Sequence, residues 1–250
     1  MPSLRDLVSR CDELLNTAGV TDYPGAHNGL QLENSGQVTH IGAAVDASEA
    51  VFMKAIERGC DLLIVHHGML WNPLRFTGAT YRKLKGAMDH GMAIYSSHLP
   101  LDLHPELGNN VQLARALGLT DWVPAFPSKG QPIGLKADIS LTLEDLARKL
   151  ELALGCAAHL APGGPSVTRR IGIVTGGAGS EVAQAVAEGC DTFITGEGPH
   201  WSYTAAEEMG LNVFYGGHYA TETFGVKALA AQLSREFDLP WEFIDHPTGL

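Results

Sequence analysis

A chain of 250 residues, 45% hydrophobic and 18% charged, has an ordinary globular composition with enough apolar material for one large domain or two smaller ones. A formal net charge of -11 argues against general nucleic-acid binding through a basic surface and leaves only a local basic patch open. No apolar run reaches the length of a membrane span, and Met1 to Gly19 has no signal-peptide core, so the expected location is cytoplasmic and no membrane partner is expected.

The predicted elements follow in chain order. Ser3 caps a first helix whose Leu4, Leu7, Val8, Cys11, Leu14 and Leu15 recur at helical spacing. Thr21 to Gly36 reads as a loop containing the turn signal Asn28-Gly29. Val38 to Val45 reads as a strand and Ala47 to Arg58 as a helix ended by Gly59. Leu62 to Val65 then forms a short buried strand that runs into His66-His67-Gly68. A basic segment follows, with Arg75, Arg82, Lys83 and Lys85, and a helix from about Tyr81 to His90. Met92 to Ser96 is a strand ending at His98-Leu99-Pro100-Leu101-Asp102, and Asn110 to Leu117 is a helix.

Trp122 to Pro165 is richer in proline and glycine and reads as a connecting section, with a capped helix opening at Thr142. Strand and helix alternate again from Ile171. Strands end at Gly176, at Gly196-Glu197 and at Gly216-Gly217-His218; Thr223 to Phe237 is a long helix and Trp241 to Ile244 a last strand. Such alternation predicts an α/β fold with a largely parallel or mixed sheet covered by helices.

The two ends of the chain resemble each other. Ala55-Ile56-Glu57-Arg58-Gly59-Cys60-Asp61-Leu62-Leu63-Ile64 aligns with Ala185-Val186-Ala187-Glu188-Gly189-Cys190-Asp191-Thr192-Phe193-Ile194, and Ile41-Gly42 aligns with Ile171-Gly172 at the same offset. His98-x-x-x-Asp102 has a counterpart in His218-x-x-x-Glu222. The series predicts two similar α/β lobes, residues 1–125 and 126–250, the second including a linker at 126–165, with strand ends facing a shared cleft.

Those strand ends carry His66, His67, His98, Asp102, Glu197, His218 and Glu222. Imidazole and carboxylate are the ligand set of zinc, manganese or iron. Without a thiolate they suit an open catalytic site better than a closed structural one, and five or more are too many for one tetrahedral ion. Two divalent ions would use them, polarising a substrate and acidifying water. Plainer accounts exist for each residue. One histidine of the pair could be structural and the other solvated, Asp102 could be a turn residue, and Glu222 could cap the last long helix; their mirrored positions favour the metal reading. Gly176-Gly177-Ala178-Gly179-Ser180 could cradle a phosphate but lacks a P-loop lysine, so a tight turn is the better account. The basic residues around Arg82 read mostly as a solvated helix face. The four cysteines show no metal-like spacing and read as mostly buried thiols.

Asn28-Gly29-Leu30-Gln31, Val65-His66-His67-Gly68 with Trp71, His98-Leu99-Pro100-Leu101-Asp102, Gly196-Glu197 and Gly217-His218-x-Ala220-Thr221-Glu222 together resemble the type 2 GTP cyclohydrolase I homologue family. Its eukaryotic members are known as NGG-interacting-factor-like proteins. The resemblance covers nearly the whole chain in order. It implies two α/β lobes with a dinuclear metal site in the cleft between them, held by His66, His67, Asp102, His218 and Glu222, with Glu222 as bridge. It places His98 and Glu197 beside the site as the proton-moving groups, and implies a ring-shaped homohexamer. The implied reaction is hydrolysis of a nucleotide such as GTP, or a related heterocycle, by a metal-bound hydroxide at an electron-poor ring carbon. The same clamp would permit phosphoester cleavage. A reading from another class is a metal-binding ring with a regulatory or chaperone-like role and no turnover; the net charge makes a DNA-associated ring the weakest.

Overall fold

The computed structural model describes residues 2–250. In the first part of the chain the elements run α1 (Leu4–Leu14), β1 (Gly29–Leu32), β2 (Ile41–Asp46), α2 (Glu49–Glu57), β3 (Leu62–His67), α3 (Gly78–Asp89), β4 (Ala93–Ser96), α4 (Leu99–Asp102) and α5 (Asn109–Ala116). There follow β5 (Val123–Ser128), β6 (Gln131–Thr142), α6 (Leu143–Leu154), β7 (His159–Ala161) and β8 (Val167–Ile173). The remainder comprises a 3-10 turn (Gly179–Glu181), α7 (Val182–Ala187), β9 (Thr192–Thr195), α8 (Trp201–Met209), β10 (Asn212–Tyr215), α9 (His218–Thr221), α10 (Thr223–Phe237) and β11 (Trp241–Phe243).

Local sequence explains where several helices begin. The hydroxyls of Ser3, Ser48 and Thr142 accept the amides of Asp6, Val51 and Asp145, satisfying donors that a helix start leaves open. Single apolar runs became strands, two per helical crossover, as the alternation predicts.

The chain divides into two compact units, Met1–His104 with Gly225–His246, and Pro105–Phe224 with Pro247–Leu250. The first holds a five-stranded sheet in the order β1-β4-β3-β2-β11. Its β4, β3, β2 and β11 are parallel, and β1 joins the β4 edge antiparallel. Strand alternation fills both faces. Ala44, Leu63, Val65 and Ile94 pack with Val51, Phe52 and Ala87 of α2 and α3. Ile41, Ala43, Leu62, Ile64 and Tyr95 are buried as well, and the Tyr95 hydroxyl donates to Asp12 of α1 at 2.8 Å.

The second unit holds a six-stranded mixed sheet, β5-β6-β8-β9-β10-β7, in which β8, β9 and β10 are parallel. One face packs Ile171, Ile173, Ile194 and Phe214 with Leu113, Leu146 and Leu150 of α5 and α6. The other packs Phe193 and Val213 with Phe126, Val182 and Ala185.

Two expectations change here. The segment 126–165, read as a link carrying its own strand and helix, is more than that: half of β5 and all of β6, α6 and β7 lie in it, and β6 pairs with β8 in the second sheet. Pro127 sits in the edge strand β5, where a missing amide costs no ladder bond to a further neighbour, and Pro132 lies near the start of β6. The loop at Thr21 to Gly36 contains a strand, β1, because Gly29 to Leu32 completes the β4 edge.

The aligned halves of the sequence occupy matching positions. Ile41 and Gly42 face Leu62 and Leu63 in one sheet, as Ile171 and Gly172 face Thr192 and Phe193 in the other. Asp61 accepts the backbone amides of Thr39 and His40, and Asp191 those of Arg169 and Arg170. A Cβ on Gly42 would lie 3.1 Å from the Cys60 sulfur, and one on Gly172 3.1 Å from that of Cys190.

Phe193 is fully buried and stacks on Phe126 with ring centres 5.3 Å apart. Phe193→Ala is expected to destabilise the protein by about 3–5 kcal/mol. Urea unfolding followed by circular dichroism would test this; a loss under about 1 kcal/mol would mean that the second unit's core tolerates the cavity.

Candidate metal centre

The first unit's candidate ligands gather at the C-terminal ends of its strands. His66 and His67 are the last two residues of β3, and alternation alone would send them to opposite faces. Their rings instead lie 4.8 Å apart, tilted by 44°. A different neighbouring strand pins each one. His66 is fully buried, with Nδ1 2.9 Å from the carbonyl oxygen of Ser97, immediately past β4. His67 Nδ1 lies 2.8 Å from Oδ1 of Asp46, its register partner at the end of β2.

His98 stands before the single turn of α4, with Nδ1 2.9 Å from Oδ1 of Asp22. Its ring centre is 5.0 Å from that of His66 and 5.8 Å from that of His67. The three imidazoles can bring one donor atom each to within 4.8 Å of the others. His98 therefore sits among the candidate ligands themselves. Asp102 ends α4 and places Oδ2 3.4 Å from His66 Nε2.

In the second unit, His218 opens the single turn of α9 and Glu222 follows its end. One helical turn brings residues i and i+4 to the same side, and His218 Nε2 lies 3.1 Å from Glu222 Oε2. His218 Nδ1 lies 2.9 Å from Oε1 of Glu197, just beyond β9. Glu222 is buried and Glu197 about half exposed.

The glycine loop after β8 serves this pair. Gly176 has φ +72°, and a Cβ there would collide with Glu222 Oε1. The loop's amides are already engaged: Gly176 donates to Thr221 Oγ1 at 3.0 Å, Ala178 to Thr195 Oγ1 at 3.2 Å, and Gly179 to the Glu197 carbonyl at 2.9 Å. The tight-turn reading fits this loop, since three of its amides are not available to cradle a phosphate. The basic residues of α3 are likewise used locally: Arg82 pairs with Glu49, Lys85 with Asp89, and Lys83 donates to the Ala47 carbonyl.

The donor chemistry fits a metal. Carbonyl and carboxylate oxygens only accept, so Nδ1 of His66, His67, His98 and His218 each carries hydrogen, and in the neutral ring each Nε2 is the atom with the lone pair. Two of those lone pairs face carboxylate oxygens, at 3.4 Å in the first unit and 3.1 Å in the second. Two acceptors so close repel each other unless a cation or proton lies with them. With ligand bonds of about 2.0–2.2 Å, donors on one tetrahedral zinc stand roughly 3.3–3.6 Å apart, a range that includes the His66–Asp102 spacing.

Sequence reasoning missed the oxygens behind the first unit's imidazoles. Asp46 had a signal, a carboxylate ending the strand beside His67. Asp22 and the Ser97 carbonyl had none. Asp22 is the more consequential, because it also accepts the Asn28 side chain at 2.8 Å and the Leu99 amide at 3.1 Å, while Asn28 Oδ1 accepts the His98 amide at 2.7 Å.

Residues 2–248 match the Duf34/NIF3 (NGG1p interacting factor 3) family. The chain belongs to that family. A NIF3-family relative from Deinococcus radiodurans, called a GTP cyclohydrolase 1 type 2 homolog, is 41% identical over 249 residues, 96% of this chain and 94% of its own. One of the same name from Escherichia coli is 37% identical, covering 97% of each chain. The solved structure of TTHA1606 from Thermus thermophilus superposes with a TM-score of 0.90 at 41% identity, covering 99% of this chain and 100% of that one. HcgD from Methanocaldococcus jannaschii, a further structure of this fold, has a TM-score of 0.85 at 26% identity over 98% of both chains. Among the described residues of this NIF3-family chain, no helix is long and apolar enough to cross a membrane.

Burial raises the Asp22 carboxyl, but hydrogen bonds from His98, Asn28 and the Tyr23 amide, with the His98 charge, outweigh it and lower it to about 2. A lowered carboxyl stabilises the fold above its unfolded value of 3.8 and loses that contribution as pH falls through its folded value. Asp22→Asn is therefore expected to destabilise the protein at neutral pH, by an amount that shrinks between about pH 4 and pH 2. Urea unfolding of both proteins across that range checks it; a pH-independent difference would count against the buried carboxylate. Gly176→Ala should lower stability more than the about 1 kcal/mol of an ordinary strained glycine site, because the new methyl meets Glu222.

Proposed function

We propose that this protein is a dinuclear metal-dependent hydrolase acting on a nucleotide or a related heterocycle. The observation that carries this reading is that the imidazoles of His66, His67 and His218 each face an oxygen with Nδ1, which sets the tautomer that ligates a metal through Nε2. The naming of relatives as GTP cyclohydrolase 1 type 2 homologs supports a nucleotide-related substrate. The matching registers and Asp clamps of the two sheets support an origin by duplication.

In this reading His66, His67 and Asp102 of the first unit, with His218 and Glu222 of the second, would hold two divalent ions of the zinc, iron or manganese class, with Glu222 the carboxylate expected to be shared. When bound, the ions would supply Lewis acidity and a water acidified to near neutral pH. The chain's own residues do the rest. Asp46 and the Ser97 carbonyl hold the first unit's imidazoles in the ligating tautomer. Asp22 holds His98 by Nδ1–H, so that Nε2 is the atom that takes up and returns a proton. Glu197 orients His218, and its half-exposed carboxylate exchanges protons with solvent. The large exposed side chains of Phe76, Tyr81 and Met88 on and before α3 support burial in an oligomer, for which we propose the homohexameric ring.

The test is metal content together with GTP ring opening. Wild-type protein is expected to bind two ions per chain and turn over GTP or a related nucleotide, and His66→Ala to lose both. Asp46→Asn should weaken metal binding by about 10–100-fold, the usual effect of removing a histidine's supporting carboxylate. Glu197→Gln, the matching change behind His218, should weaken metal binding to a similar degree and, at saturating metal, lower kcat by roughly 10²–10⁴. Two ions bound with no turnover of any nucleotide or phosphoester would overturn the hydrolase and leave the non-catalytic ring. One ion or none would overturn the dinuclear centre. Light scattering tests the ring, six chains of 26.7 kDa each.

A further inference from the structure

A different group of metal-capable side chains lies in the first unit, at the N-terminal edge of its sheet. His40, Cys60 and Glu242 can each bring one donor atom to within 4.8 Å of the others. The strands explain the meeting. His40 immediately precedes β2, Cys60 lies just before β3, and Glu242 is the middle residue of β11; β2 runs between the other two, and Glu242 pairs with Gly42. Gly42 makes the room, since a Cβ there would press on the Cys60 sulfur.

The group is held in place from several sides. Asp61 Oδ1 accepts the His40 amide at 3.0 Å, and the His40 carbonyl accepts the Asp61 amide at 3.0 Å. Glu242 Oε1 lies 3.4 Å from His40 Nε2, while its other oxygen accepts Arg58 at 2.7 Å, so the carboxylate is already turned toward the imidazole. Cys60 is buried, whereas His40 and Glu242 are partly exposed, which gives an ion a route from solvent.

We propose that His40, Cys60 and Glu242 form a second, separate metal site for a single thiophilic divalent ion, zinc being the natural candidate, with a fourth position left to water or an outside ligand. Thiolate, imidazole and carboxylate together are a zinc-type donor set, and a three-residue site with one open position is a common zinc arrangement. Binding exchanges the thiol proton for the ion: Cys60 S–H loses H⁺ to solvent, the sulfur donates its pair to the metal, and no electron is transferred. Without metal the Cys60 thiol is pushed up to about 12, by burial first and then by the Glu242 and Asp61 charges, with Arg58 opposing, so the free thiol is unreactive. A coordinated cation reverses that balance.

The second unit supplies an internal control. Its matching positions carry Arg170 in place of His40 and Cys190 in place of Cys60, and Arg170 Nε donates to Asp138 at 2.6 Å. A base facing an acid across this sheet edge is thus a structural brace in one unit. A guanidinium cannot ligate a metal; an imidazole beside a thiol can.

The proposed dinuclear centre contains no sulfur, so a thiolate signal separates the two sites. Metal-free full-length protein is titrated with Co²⁺ and followed by the near-ultraviolet thiolate-to-cobalt charge-transfer absorption. The expected result is a band that saturates at one thiolate-bound ion per chain and survives in His66→Ala, Cys156→Ser and Cys190→Ser. It should vanish in Cys60→Ser and need at least about tenfold more Co²⁺ in His40→Gln and Glu242→Gln. Absence of the band in wild type, its survival in Cys60→Ser, or its loss in Cys156→Ser would each overturn the site. Should Cys60→Ser fail to fold by circular dichroism, the two surface variants decide: unchanged Co²⁺ affinity in both overturns the proposal.

Discussion

Everything at the candidate centre depends on one kind of interaction, an imidazole Nδ1–H given to a fixed oxygen. A histidine in solution divides its proton between two nitrogens and swings about two side-chain bonds. An acceptor at the end of a neighbouring element removes both freedoms at once. His66 is held by a backbone carbonyl, His67, His98 and His218 by carboxylates. Neutral and anionic acceptors differ in consequence: a carboxylate raises the basicity of the ring it holds more than a carbonyl does. The fully buried His66 has the neutral partner, which avoids burying a further charge beside Asp102.

The sheets supply those oxygens because parallel strands end in register. Asp46 lies across from His67 by pairing alone, and Ser97 follows β4 on the other side of β3. At the opposite edge, Asp61 gathers the two amides that precede β2, and Asp191 gathers those of Arg169 and Arg170 within β8. An acid at each end of the same pair of strands thus sets where the strand starts and what its end presents.

Most of this was legible in the sequence where a residue's role is local. Apolar runs gave the parallel strands, and Ser3 and Thr142 gave helix starts. What could not be read depends on partners distant in the chain. Asp22 reaches His98 across 76 positions, and nothing near Asp22 marks it. The proline-rich middle section misled for a related reason, since proline signals loops in isolation but is accepted on an edge strand, and being an edge is a property of the assembled sheet. The division at 125/126 falls inside β5, where no local composition change reveals a strand crossing it.

The first unit's sheet is completed by β11, in which Trp241 faces Ile41. The residues between them include the whole of Pro105–Phe224, nearly all of the second unit. A ribosome emitting this chain releases β1 to β4 long before the strand and helix that finish their sheet. The second unit, by contrast, has almost all of its residues in one uninterrupted stretch and can complete its core while the first waits with an open edge at β2. Closing so long a loop is entropically modest but slow, because non-local strand pairing is the late step in folding. Loss of the chain from Trp241 onward would leave the edge of β2 open for good.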